Sequence, residues 1–240
     1  MKTLISLPTY NESENIERLV EKILATVVDL HVLIIDDNSP DGTGQIADKL
    51  SQKYPGRVIV KHRAGKLGLG SAIMEGFKYA MLNNYTFVVN MDCDFSHDPS
   101  ELPSVLKAAE NADLVIASRH VKGGSVVGWN TKRKILHWGA QQYTNFVLGR
   151  YVTDHTNSYR AYRVKMLEKL PLQRLLGAGA GFVWHTLLTN VAHKRGYKIA
   201  EVPSIFVDRQ VGRSKMSQKE MLGGLVAILK MRLFCRSLFC

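Results

Sequence analysis

Long apolar runs, paired cysteines and mid-chain acids are what this 240-residue sequence lacks. The longest apolar stretch, Met221 to Leu229, stops at Lys230. That is well short of the ~18 residues a bilayer-spanning helix needs, so any membrane contact is expected to be peripheral. Three cysteines, Cys93, Cys235 and Cys240, form neither a metal-type pair nor a disulfide framework, which suits a reducing compartment. Met1-Lys2 leads straight into an apolar strand, so no secretory signal is read there. Between Leu114 and Arg150 six Lys or Arg stand with no acid, and Arg195 to Cys240 holds nine against three. Within a net charge of +11, such segments attract phosphorylated substrates, anionic lipid or nucleic acid, and charge alone does not choose among them. Repeats and low-complexity tracts are missing as well, and a hydrophobic fraction of 45% is that of an ordinary globular chain. One sizeable core with a C-terminal elaboration is expected.

What is present is an alternation. Thr3 to Leu7 reads as a strand and Glu14 to Val28 as a helix with apolar residues at helical spacing. His31 to Ile35 is a second strand, followed by a helix to Tyr54, a strand at Val58 to Val60 and a helix from Ser71 to Asn83. The run Val88-Val89-Asn90 is a buried strand, and after another helix Leu114 to Ala117 is a fifth. Strands alternating with helices imply an α/β fold with one Rossmann-like, mostly parallel sheet. The first strand–helix turn, Pro8-Thr9-Tyr10-Asn11-Glu12, has no glycine, which excludes a dinucleotide fingerprint there. Gly65, Gly68 and Gly70 follow the third strand instead, as a phosphate-side loop or a plain turn.

Acids stand where three of these strands end: Glu12 after the first, Asp36 and Asp37 after the second, Asp92 and Asp94 after the fourth. The carboxyl edge of an open α/β sheet is where ligands bind. Continued as strand, Asp92 and Asp94 would point to the same side. Two hard oxygen ligands suit Mg²⁺ or Mn²⁺ with positions left for water and a diphosphate. The competing reading of Asp-x-Asp is turn and cap chemistry, which Asp98-Pro99 certainly suggests for the next helix. His97, in the same loop, is expected to be solvated rather than a ligand. Unpaired, the three acid clusters would repel one another, so they call for a cation or for ligand donors such as a base or ribose. Glu12 and Asp37 could accept from those donors, and Tyr10 could stack on a base.

Beyond Ala117 come a basic glycine-rich loop, Ser118 to Gly124, and a segment from Lys132 to Leu148 that mixes Ile135, Trp138 and Phe146 with Lys132, Arg133 and Lys134. This profile suits a helix on a membrane surface or partner, or a plain surface helix. Asp154 to Arg160 reads as a polar loop before a helix containing Met166, Leu167 and Leu170. Gly177 to Gly181 reads as a turn before an apolar helix, and a strand pair is expected around Ile199 to Val207. The basic loop Asp208 to Lys215 could close over a diphosphate. Gln218 to Phe239 is amphipathic again.

Taken together these motifs resemble the GT-A glycosyltransferases of family 2, and within them the polyprenol (dolichol) monophosphate mannose synthases. The resemblance runs from Thr3 to about Met216, through Pro8 to Glu12, Asp36 to Thr43, Met91 to Asp94, Ala117 to Arg119, Asp154 to Arg163, Val202-Pro203, Asp208-Arg209 and Ser214-Lys215. It implies a GT-A domain over residues 1–216 and an amphipathic membrane- or partner-contacting helix over 217–240. The implied reaction is inverting transfer of mannose from GDP-mannose to a polyprenyl or dolichyl phosphate, with UDP-glucose as alternative donor and a silent nucleotide-sugar-binding subunit as alternative role. By resemblance Pro8, Tyr10, Glu12, Ile35 and Asp37 hold the nucleoside. Asp92, Asp94 and Ser96 serve a Mg²⁺ or Mn²⁺ ion and the donor diphosphate. Arg119, Arg209 and Lys215 meet the donor phosphates, and Arg119 and Arg133 the acceptor phosphate. Asp92, Asp94, Arg119 and Arg209 are the implied catalytic set. The implied location is the cytosolic face of a membrane, plasma membrane in a bacterium or endoplasmic reticulum in a eukaryote, with a small membrane-spanning partner subunit conceivable and no nucleic acid. The chain departs from the family pattern at Cys93 for a small residue, Asn157 for Gly or Ser, Leu187 for Glu and Arg213 for an acid. The last two make the acceptor side more positive.

Overall fold

The computed structural model describes residues 1–27, 29–178, 183–208 and 218–238. Its first half is the expected alternation: β1 (Thr3–Thr9), α1 (Ile16–Thr26), β2 (Leu30–Asp36), α2 (Thr43–Lys53), β3 (Val58–His62), α3 (Leu69–Leu82) and β4 (Phe87–Asn90). A 3₁₀ turn at Pro99–Glu101 leads into α4 (Leu102–Ala109) and β5 (Leu114–Ser118). The second half holds β6 (Ser125–Val127), α5 (Thr131–Leu148), β7 (Arg160–Arg163), α6 (Val164–Leu167), α7 (Leu172–Ala178), α8 (Val183–Lys194), β8 (Ile199–Pro203), β9 (Ile205–Val207) and α9 (Gln218–Leu238).

Seven strands form one sheet in the order β3-β2-β1-β4-β7-β5-β8. Every pairing is parallel except those of β7, which runs antiparallel to β4 and β5. This strand corrects the sequence reading. Arg160–Arg163 is too short and too polar to read as a strand. Its central place in the sheet comes from two neighbours that hydrogen-bond it from both sides. Because it runs against the rest, β7 starts at the edge where the parallel strands end, and the loop before it reaches the same edge.

The period of two is clear in the packing. Leu4, Leu33, Ile35, Val88, Leu114 and Ile116 face one core with α3 and α6–α9, while Ile5, Leu7, Val32, Ile34, Val89 and Val115 face the other with α1, α2 and α4. On the first face α3 comes so close to β1 that a Cβ at Gly76 would collide with the Ser6 side chain. The expected strand pair near the C-terminus is not a hairpin. β8 pairs with β5, whereas β9 leaves the main sheet after Pro203 and pairs with β6. The single helix expected after Arg163 is two, α6 and α7, parted by Pro171. Gly177 lies within α7, and the rest of the turn expected up to Gly181 lies largely outside the described residues. α9 packs on α5 and α8, with Ala227, Ile228 and Met231 buried in the first core.

Beneath the loop before β7 lies a polar layer. Arg160 is fully buried and donates to the carbonyls of Asn157, Asp154, His155 and His185 and to the Thr189 hydroxyl. Burial, reinforced by the Arg160 charge, holds His185 well below its ordinary pKa and pushes His155 down to about 4. Both imidazoles are therefore neutral in the native protein. Below pH ~6.5 the unfolded chain takes up protons that the native state refuses, so stability falls with pH at ~1.4 kcal/mol per unit for each such histidine. Replacing His185 by Gln should thus flatten the fall in urea-unfolding free energy between pH 7.5 and 5.5 by about 1.4 kcal/mol. Equal slopes for the two proteins would refute a neutral buried His185.

Candidate active site

The order β3-β2-β1-β4 sets the carboxyl ends of β2, β1 and β4 side by side, so Asp36 and Asp37, Glu12, and Asp92 and Asp94 share one edge as expected. Much of their mutual repulsion is met inside the chain. Asp36 is buried in its own turn, accepting from the Ser39 N–H and hydroxyl. Asp37 lies 2.7 Å from Arg63 Nη1 and accepts from Leu67 N–H. Burial raises its pKa, and the Arg63 charge opposes that rise. Sequence reading missed Arg63, which follows β3 in the neighbouring strand position and so had no motif to mark it. Glu12 accepts from the Asn15 amide, and its own N–H is bound by Thr43. Asn11 and Asn38 adopt left-handed φ values of 54° and 56°, which asparagine tolerates better than most residues. Lys66 lies 4.6 Å over the Tyr10 ring, so Tyr10 stands in the edge beside the glycine loop. Pro8 pairs with Ile35 across β1 and β2. Ile35, expected at the nucleoside, has its side chain fully buried against α3, and its carbonyl accepts from Thr9.

Asp92 and Asp94 are not strand residues, since β4 ends at Asn90. Their arrangement comes from a tight loop in which Phe95 takes φ 58°, a strained value for a bulky residue. Asp94 is buried, and its Oδ1 accepts from Ser96 N–H at 3.0 Å and Ser96 Oγ at 2.5 Å. Asp92 Oδ2 accepts from Ser158 Oγ at 2.9 Å. Ser96, expected among the metal ligands, thus spends its hydroxyl proton on Asp94 and has lone pairs left for a cation. His97 corrects the expectation of a solvated ring. It is fully buried, takes the Asp92 N–H on Nδ1 and meets Asn157 Oδ1 with Nε2. Among the described residues no three His, Cys, Asp or Glu side chains gather as a closed metal cage. Two carboxylates in one loop at the sheet edge instead match the open, oxygen-only donor set of a hard cation that shares its coordination with a ligand.

On the other side of the edge, Arg119 follows β5 and is buried against Asp154. Nε donates to Oδ2 and Nη2 to Oδ1, both at 2.7 Å, and Nη2 also reaches Thr156 Oγ1. Burial alone would push the Asp154 carboxyl up. The Arg119 charge and hydrogen bonds outweigh this and hold it far below the usual carboxylate range. Gly124 permits the loop to fold back, since a Cβ there would strike the Ser118 carbonyl and the Arg119 backbone. Arg133, in the first turn of α5, bonds Asp208 at 2.7 Å and lies 4.4 Å over the Trp129 ring, which Arg119 also approaches at 5.7 Å. Beyond Trp129 a cavity of about 450 Å³ is lined by His120, His137, Lys134 and Trp138 among others. The Nε2 atoms of His120 and His137 lie 2.9 Å apart. Burial, then the Arg119 charge, push His137 down to about 4. Leu187, noted as a departure, is fully buried in the apolar core and does not line the edge. Arg209, Arg213 and Lys215 lie outside the described residues.

The six parallel strands, the one antiparallel insertion and the acid-lined edge define a GT-A fold. Residues 5–171 match the model of Glycosyl transferase family 2, and the chain belongs to that family. It is 42% identical over 217 residues to the polyprenol monophosphomannose synthase of Mycolicibacterium smegmatis, covering 90% of this chain and 81% of that one. It is also 42% identical over 226 residues to the undecaprenyl-phosphate mannosyltransferase of Micrococcus luteus, covering 94% and 90%. Among solved structures it is similar in fold to the glucosyl-3-phosphoglycerate synthase of Mycobacterium tuberculosis in complex with Mn²⁺, UDP-glucose and phosphoglyceric acid. There the TM-score is 0.67 at 19% identity, over 96% of this chain and 79% of that one. The same enzyme with Mg²⁺ and UDP gives a TM-score of 0.65 at 20% identity, over 98% and 79%.

Asp154→Asn keeps the shape but removes the charge that faces buried Arg119, and is expected to cost ~3–5 kcal/mol of unfolding free energy in urea titrations. The depressed native pKa means that this contribution is complete at neutral pH and is lost only as pH falls below the unfolded value of ~4. A loss under ~1 kcal/mol would show that the pair carries little weight.

Proposed function

We propose that this glycosyltransferase moves a mannosyl group from GDP-mannose to a polyprenyl phosphate, with inversion at the anomeric carbon. The observation that carries this reading is the division of the sheet edge: an acidic nucleotide-and-cation half at β2, β1 and β4, and a basic half at β5 and α5. Relatives at 42% identity whose names state a polyprenol or undecaprenyl-phosphate acceptor support it. Pro8, Tyr10, Glu12 and Asp37 face the nucleoside, Asp37 with Arg63 as its partner. Asp92 and Asp94 hold Mg²⁺ or Mn²⁺, Ser96 orienting Asp94. A divalent cation bound there would supply positive charge to the leaving nucleoside diphosphate. Arg133 and the Nη1 edge of Arg119 meet the acceptor phosphate, and Arg209 and Lys215 belong with the donor phosphates.

The second pKa of a phosphate monoester is ~6, so at neutral pH the acceptor is a dianion and requires no general base. One of its oxygens bonds to the anomeric carbon while the bond from that carbon to the diphosphate oxygen breaks, and the electron pair leaves with GDP. The protein's task is to bring two anions together and offset their charge, which the basic half does.

The acceptor's hydrocarbon requires a membrane. No helix among the described residues is long and apolar enough to cross one. α5 instead exposes Ile135, Leu136, Trp138 and Phe146, and α9 exposes Leu222, Val226, Leu229 and Leu233. The two helices are joined by Tyr143 Oη donating to the Leu225 carbonyl. An apolar surface of this kind, beside basic residues, fits the interface of an anionic bilayer.

Incubation with radiolabelled GDP-mannose, or UDP-glucose, together with a polyprenyl phosphate and Mn²⁺ tests the reading. Label from GDP-mannose is expected in the organic phase. Label only from UDP-glucose would overturn the donor, and none from either would point to a silent binding subunit. Asp94→Ala is expected to reduce transfer at least a hundredfold with an unchanged melting temperature, and normal turnover would remove the carboxylate loop from the chemistry. Phe146→Glu with Trp138→Glu should lower co-sedimentation with anionic vesicles severalfold, and wild-type sedimentation would sink the membrane face.

A further inference from the structure

The loop that carries Asp92 and Asp94 lies beyond the last sheet pairing of β4 and passes through a strained Phe95, so something other than the sheet must hold its shape. The group beneath it is His97. The ring is fully buried, stacked on Tyr159 with centroids 5.1 Å apart and edge-on to Phe206 at 5.8 Å. Its Nδ1 accepts the Asp92 backbone N–H at 3.1 Å, which puts its proton on Nε2, 3.1 Å from Asn157 Oδ1. The Asn157 amide is oriented independently, because its Nδ2 donates to the Ala117 carbonyl of β5. Its backbone N–H donates to Asp154 Oδ1 at 3.1 Å, the same carboxylate oxygen that binds Arg119 Nη2. An unbroken path of hydrogen bonds thus runs from Asp92 through His97, Asn157 and Asp154 to Arg119.

We propose that His97 is a positioning residue: its two ring nitrogens tie the carboxylate loop to the Asp154–Asn157 loop. The donor half and the acceptor half of the edge are thereby kept at one separation. The inference rests on the function proposed above and assigns a role to a side chain that touches neither substrate. Its logic is that each end of the path ends in a group expected to meet a different anion. A slack path would let the two anions sit at varying distance, and displacement between bound reactants is sensitive to such misplacement.

The test compares His97→Leu, which fills the volume but can neither accept nor donate, with His97→Gln, whose amide can do both. For His97→Leu, kcat is expected to fall at least tenfold and the affinity for Mn²⁺–GDP severalfold in a calorimetric titration. His97→Gln should stay within about threefold of wild type in both. Asn157→Ala cuts the same path at its far end. It should match the kcat loss of His97→Leu, and the double variant should be no worse than either single one. Wild-type kcat and Mn²⁺–GDP affinity in His97→Leu would overturn the inference, as would a glutamine variant as impaired as the leucine one or strictly additive losses. Should His97→Leu fail to fold, the glutamine variant and Asn157→Ala still decide. Wild-type protein that transfers sugar but shows any of these contrary results sinks this inference alone. Wild-type protein that neither transfers sugar nor binds Mn²⁺–GDP sinks the proposed function and this inference with it.

Discussion

A guanidinium and a carboxylate taken out of water together must satisfy each other, and the Arg119–Asp154 pair is where this protein's two halves are joined. Arg119 belongs to the loop after a parallel strand, and Asp154 to the loop that feeds the antiparallel β7. Both loops meet at one edge only because β7 runs against its neighbours. With the bidentate bond in place, the Asp154 carboxylate can also accept the N–H groups of Thr156 and Asn157, and the loop it caps delivers Ser158 to Asp92. Arg160 fixes the same loop from below through carbonyls alone. The pair is worth less as a source of net stability than as a constraint on geometry, since desolvating two charges consumes most of what their attraction returns.

Charge is handled differently on the two sides of the edge. On the acidic side Asp36 and Asp37 are each given donors by the chain, from Ser39 and from Arg63 with Leu67. The repulsion that an isolated reading of the acids predicts is therefore already reduced before any ligand arrives. In the carboxylate loop Asp94 accepts from the N–H and hydroxyl of Ser96, and Asp92 from the Ser158 hydroxyl. On the basic side, Arg119 and Arg133 share the Trp129 ring while carboxylates take part of their charge. Arginine suits this work because its fork can hold a carboxylate with one edge and offer the other.

α5 and α9 extend the basic half outward. Each buries one flank in the first core or against its neighbour and leaves large apolar side chains in the open. α9 is part of the packed body rather than an appended tail, because Ala227, Ile228 and Met231 complete a core that begins with Leu4 of β1. On α5 the exposed Ile135, Leu136 and Trp138 follow Arg133 along the same helix.

The alternation of β1 to β5, the acids at three strand ends and the amphipathic α5 and α9 were legible in the sequence. They rest on local spacing, with a period of two in strands and 3.6 in helices, and on glycine and proline at turns. What the sequence could not decide involves partners far apart in the chain. β7 is four residues of mixed polarity made a strand by β4 and β5. His97 looked like one more loop histidine until Asn157, sixty residues on, was seen to meet it. Arg63 found Asp37 across β2 and β3, and Ile35, motif-bound by position, turned its side chain into the core because strand pleating alternates faces. Local pattern fixes which side a residue shows. Only the crossing of one strand against six decided which loops would meet.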